Sequence, residues 1–142
     1  MLAVSYVIRT FQSSQGDSMM VYHFQGIDHV QLAAPNGSEQ KAREFFSDLL
    51  GMEEIEKPEE LKKNGGVWFM CGDHQLHVGI EEPFEPARKA HPAFYVGNLE
   101  GLKAALRSRH IEVEDDDRLP GYKRFYLEDP FGNRLEFLER LS

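Results

Sequence analysis

His29, His77, His91 and Glu136 form two pairs with similar internal spacing, 48 residues from 29 to 77 and 45 from 91 to 136. His29 stands seven residues before Asn36 and His91 seven before Asn98, each ahead of a helix-like run. The chain therefore reads as two copies of one unit, each donating two side chains that can bind a metal. Three imidazoles and one carboxylate suit a single divalent ion, Zn, Fe, Ni or Mn, and need no cysteine. Such a set leaves coordination positions open, and that is where substrate chemistry occurs. Glu136 has two possible jobs, as a fixed ligand or as a general base that leaves the metal.

The elements that must hold these residues are legible from periodicity. Val30 and Leu32 alternate with His29 and Gln31, the pattern of a strand with one buried face. Asn36-Gly37-Ser38 offers capping groups, and Ala42, Phe45, Phe46, Leu49 and Leu50 then recur at helical spacing until Gly51. A short strand is expected at 53–56, a loop at 58–66, and two strands at 67–71 and 75–80 joined by the turn Gly72-Asp73-His74. After a linker at 81–90 containing Pro83 and Pro86, the order restarts. A strand at 91–96 leads to a helix carrying Leu99, Leu102 and Leu106, then strands at 111–114, 122–128 and 134–139. The fold class is thus α+β, two tandem βαβββ units (residues 21–82 and 90–140) forming a curved mixed sheet around a metal-binding cavity.

Alternation assigns side chains to faces. Val30, Leu32, Leu76, Val78, Phe94, Val96, Leu135 and Phe137 belong on the helix side, whereas His29, Gln31, His77, His91, Tyr95, Arg134 and Glu136 share the cavity side. Arg124 has the parity of Tyr126 and Glu128, and a rim arginine can clamp a carboxylate or phosphonate bidentately. Gln31, Arg124 and Tyr126 are accordingly the candidate substrate contacts. Either Trp68 and Met70 or Val67 and Phe69 line the cavity, and the other pair packs in the core.

Composition narrows the field. At 142 residues the chain has room for one domain or two half-domains sharing a core. A net charge of −8 opposes binding to nucleic acid. The single Cys71 excludes an internal disulfide and a cysteine zinc site, which points to a cytoplasmic location. No apolar run is long enough to span a bilayer. Residues 1–20 read as an N-terminal extension, with an edge strand or dimer arm as its structural explanation; a basic start and a cleavage site, the marks of a signal peptide, are missing.

The segments GIDHVQLAAP, EFFSDLLGM, QLHVGIE, HPAFYVGNLEGLKAAL and FYLEDPFGNRLEFLE resemble the vicinal oxygen chelate superfamily, which includes glyoxalase I, extradiol dioxygenases, and bleomycin or fosfomycin resistance proteins. The resemblance covers about residues 22–140, and D-P-x-G-N-x-x-E is its most specific motif. It implies that the first and fourth strands of each repeat carry the ligands, here His29, His77, His91 and Glu136. Where glyoxalase I holds glutathione with Arg and Asn, this chain has Ala33 and Glu81, which speaks against that substrate. The resemblance implies a metal-dependent lyase or isomerase working through an enolate, or a ring-cleaving dioxygenase, on a small oxygen-rich molecule. The alternative is a metal-free protein that sequesters a drug or metabolite. A homodimer is expected because the strands leave sheet edges to be covered. In it, His29 and His77 of one chain would meet the partner's His91 and the partner's Glu136; a monomer closing around one internal site is the alternative.

Overall fold

Strand β1 (His29–Ala34) starts exposed and ends buried, with Leu32 and Ala34 facing inward as period-two alternation requires. The computed structural model describes residues 21–142; the extension expected at 1–20 lies outside the described residues. A turn of α-helix, α1 (Glu39–Ala42), follows and widens into a π-helix over Arg43–Leu49. The expected helix is therefore present but not uniformly α. Its i→i−5 bonding, such as Leu50 N to Phe45 O at 3.0 Å, accompanies burial of both adjacent rings, Phe45 and Phe46. The capping role expected of 36–38 is not realised by Ser38, whose hydroxyl donates to the Pro35 carbonyl instead. Gly51 ends the run at φ +83°, a conformation that costs glycine nothing.

The first unit continues with β2 (Glu54–Ile55), a one-turn helix α2 (Glu59–Lys62) inside the segment expected as loop, β3 (Val67–Cys71) and β4 (His74–Ile80). The second has β5 (Ala93–Tyr95), α3 (Leu99–Ser108), β6 (Glu114–Asp116), β7 (Tyr122–Glu128) and β8 (Arg134–Arg140). The strand expected at 111–114 is thus shifted toward the C-terminus, because Ile111 and Val113 pack against the core from a connecting segment. Helix α3 is capped by Asn98, whose side chain accepts from Gly101 N at 3.1 Å. The Glu139 carboxylate adds to it by accepting from Asn98 N and Leu99 N, an anion where the helix dipole is positive.

Each unit makes its own four-stranded mixed sheet, in the orders β1-β4-β3-β2 and β5-β8-β7-β6, with the same pairing senses. β1 is parallel to β4 and β5 to β8, and every other pairing is antiparallel. The repeat read from sequence is a repeat of topology. The helix-side faces of both sheets join one apolar core in which Phe46, Phe69, Phe125 and Phe137 are fully buried. Each such ring contributes about 1.5–3 kcal/mol by leaving water. Val30 departs from the expected helix-side set: it stays 37% exposed near the start of an edge strand, beside which no further strand pairs among the described residues.

The D-P-F-G-N segment between β7 and β8 is a stapled turn. Asp129 accepts from Phe131 N, Asn133 N and the Asn133 side chain, while Asn133 Nδ2 also donates to Ala33 O in β1 at 2.8 Å. The second repeat is thereby tied to the first. Burial pushes the Asp129 carboxyl up from its ordinary value, against the pull of these donors.

Candidate functional site

With both helix-side faces spent on the shared core, the polar faces of the sheets are left outside it, and each holds one of the expected pairs. On the first sheet β1 and β4 bring His29 and His77 together, and β3 adds Trp68, which stands opposite His77 in register. The three rings form a stack. Trp68 and His77 lie 3.8 Å apart at 3°, and His77 and His29 lie 4.0 Å apart at 17°. Of the two alternatives for β3, Val67 and Phe69 enter the core and Trp68 takes the polar face.

His77 is 4% exposed, and burial, assisted by the neighbouring His29, holds its pKa below the ordinary value. It is thus kept neutral. Its Nε2 faces Gln75 Oε1 at 2.9 Å, and His29 Nδ1 faces Asp28 Oδ2 at 2.9 Å, which leaves His29 Nε2 as the uncommitted nitrogen of that ring. Lone pairs lie in the ring plane, so two stacked imidazoles cannot converge on one ion until a ring turns.

On the second sheet His91, Glu136, Arg124 and Tyr126 come together. β7 and β8 place Tyr126 and Glu136 opposite each other, and Arg124 lies two residues along the same face as Tyr126. Glu136 is 6% exposed, accepts from Arg124 Nη1 at 3.0 Å, and lies 2.9 Å from His91 Nε2. Burial alone would raise its pKa, but His91 and Arg124 outweigh that and hold it below the usual value, so the carboxylate is ionised. Arg124 also reaches Asp116 at 3.4 Å, so its terminal nitrogens are already engaged by two acids. Arg118 and then Arg124 hold the Asp116 carboxyl well below the usual range.

The tautomer of His91 follows from its partners. Nδ1 lies 2.8 Å from the Lys89 carbonyl, which can only accept, so Nδ1 carries a hydrogen. In neutral imidazole Nε2 then presents a lone pair to the Glu136 carboxylate. Two acceptors 2.9 Å apart require a cation between or beside them, either a proton or a metal ion. Two ligand atoms bonded at about 2.1 Å to one ion and about 90° apart would be separated by about 3 Å. A histidine whose other nitrogen donates to a backbone carbonyl is also the usual arrangement of a metal ligand. The His91–Glu136 pair therefore fits a divalent ion as it stands; His29 fits through Nε2 after its ring turns, and His77 fits least because Gln75 engages its Nε2.

Among the described residues no three His, Cys, Asp or Glu side chains surround a common point. The expected ligands form two half-sets within one chain. Gln31 belongs to neither cluster: it is exposed, lies over Gly79, and borders a groove of about 1020 Å³ whose lining also includes His91 and Arg134. Reading by residue type overlooked Arg134, which parity had put on the right face, and Gln75. The hairpin turn at Gly72-Asp73 held the signal for Trp68, since pairing Cys71 with His74 brings Trp68 opposite His77.

A profile of the Glyoxalase/Bleomycin resistance protein/Dioxygenase superfamily matches residues 26–137, and the chain belongs to that superfamily. Its fold is similar to the crystal structure of a glyoxalase family protein from Bacillus anthracis, with 55% identity, TM-score 0.83, and coverage of 85% of this chain and 99% of that one. A glyoxalase family protein from Enterococcus faecalis is 29% identical with TM-score 0.65, covering 82% of this chain and 98% of its own. Lactoylglutathione lyase from Agrobacterium tumefaciens shares the fold at 24% identity, TM-score 0.66, covering 83% and 96%. A search of curated proteins found no match. Among the described residues no helix is long and apolar enough to cross a membrane.

Proposed function

We propose that the protein is a divalent-metal-dependent enzyme of the vicinal oxygen chelate type, acting on a small oxygen-rich substrate as a homodimer. The observation that carries this reading is the 2.9 Å approach of His91 Nε2 to Glu136 Oε1 while His91 Nδ1 faces the Lys89 carbonyl, an arrangement that a metal ion beside the pair would satisfy. His91 and Glu136 would hold the ion, with the partner's His29 and the partner's His77 completing the set. The placement of the two half-sets outside a common core supports sharing between chains. When bound, the ion would polarise adjacent oxygens of the substrate.

The chain's own groups have separable parts in this. Lys89 O fixes the His91 tautomer, and Arg124 keeps Glu136 ionised. Ionised and doubly held, Glu136 is suited to ligation; to act as a base it must first give up one of its cationic partners. Tyr126 walls the pair, its ring edge-on to His91 at 5.6 Å. Elemental analysis of protein purified without chelator tests the reading, with about one divalent ion per chain expected. Absence of metal, together with no uptake on titration at about pH 7.5, would sink it. Mixing His29→Ala and Glu136→Ala chains tests sharing: mixed dimers should regain one of two sites, and no gain after verified subunit exchange would exclude it.

A second reading has its own observation. The exposed His29 end of the Trp68–His77–His29 stack offers a ring face to a planar ligand, as in a metal-free sequestering protein.

A further inference from the structure

In a chain with net charge −8, Arg134 has no ion-pair partner among the described residues. Glu128 stands opposite it in register, yet the two form no ion pair. Asp73, Glu81 and Glu85 line the same groove, and none pairs with it either. The guanidinium instead lies over the Tyr126 ring, Cζ 4.1 Å from the centroid, with its Nε buried and without a hydrogen-bond partner. A desolvated donor left unmatched is costly, and the aromatic face offsets only part of that cost. The same ring touches His91, so Tyr126 joins this cation to the His91–Glu136 pair. Arg124, the more obvious clamp, is already engaged by Glu136 and Asp116.

We propose that Arg134 is an oxyanion-recognition residue on the groove, so that the ligand is a small acid carrying a carboxylate or a phosphonate-type group. The proposal rests on the reading of His91 and Glu136 as the ligand-facing pair, and it adds the class of molecule they receive. A guanidinium whose two terminal nitrogens have no protein partner binds such groups through paired, charge-assisted hydrogen bonds, whereas a neutral isostere leaves those donors unmatched.

The test uses benzoate and phenylphosphonate as probes, with benzamide as the neutral counterpart, followed by saturation-transfer NMR on the full chain with and without added zinc. Wild type should bind at least one of the two anions more tightly than benzamide, and which one it prefers separates the two sources of the charge. Arg134→Gln should weaken the preferred anion by about tenfold or more and leave benzamide unchanged, with Arg134→Lys intermediate. An Arg134→Gln chain that binds the anions as wild type does, or a wild type with no preference for them, overturns the proposal. Zinc uptake measured in parallel keeps the two readings apart: failed uptake in wild type counts against the metal site, and unchanged anion binding in Arg134→Gln counts against Arg134. Should Arg134→Gln fail to fold, the wild type still decides, because the bound anion must slow modification of Arg134 by phenylglyoxal; an unchanged rate refutes the assignment.

Discussion

The two repeats share a topology and differ in the physics of their polar faces. In the first, Trp68, His77 and His29 are stacked, and burial keeps His77 neutral. In the second, Arg124 donates to Glu136 and reaches Asp116, and with His91 beside the carboxylate it keeps Glu136 ionised. A metal site needs both properties: imidazoles that stay unprotonated and a carboxylate that stays charged. The same scaffold occurs twice, and different neighbours tune each half.

The sharpest check on this comparison is the core, where the halves should not differ. Phe69→Ala and Phe137→Ala remove rings from corresponding inner faces of the two sheets and should each cost about 3–5 kcal/mol in urea denaturation. A large asymmetry would show that the shared core leans on one repeat. Metal affinity should separate the halves next. His91→Ala and Glu136→Gln should each weaken zinc binding by more than about a hundredfold, beyond the usual cost of losing an outer partner, while His77→Ala stays within about tenfold. Equal affinity in wild type and His91→Ala would mean that the site is elsewhere.

Stability should fall in acid in two steps, the upper one from His77 and the lower one from carboxylates that include Glu136. His77 has a folded pKa below its ordinary 6.5, so the unfolded chain binds the extra proton first. Its contribution is complete above pH 6.5 and is lost as pH falls through the lowered folded value. Glu136 behaves alike below its ordinary 4.5, with stability present above that pH and lost through its lowered folded value. The urea midpoint followed against pH should lose its upper step in His77→Gln and show a smaller lower step in Glu136→Gln, where Asp116, Glu39 and Glu139 still contribute; unchanged profiles would contradict these environments. The smallest effect should come from Trp68→Leu, about 1 kcal/mol from loss of the stack, and the freed His77 should titrate closer to 6.5 by NMR.

The amino-acid sequence by itself determined the repeat, the α+β class, and the face on which each candidate ligand lies. Alternation and helical spacing are local properties, and a buried face enforces them residue by residue. It therefore put His29, His77, His91 and Glu136 on polar faces and Leu135 and Phe137 inside, and left open which way Phe69 points. Tertiary structure decided the rest. The widening of the first helix depends on how Phe45 and Phe46 meet the sheet. The exposure of Val30 depends on what covers an edge strand. Most of all, the division of four ligands into two half-sets follows from both helix-side faces sharing one core, a long-range contact that no spacing along the chain records. The same contacts engaged Arg124 with Glu136 and Asp116 and left Arg134 without an acid, although sequence made the two arginines look alike. Ion pairing is settled by three-dimensional neighbours, and only folding chooses them.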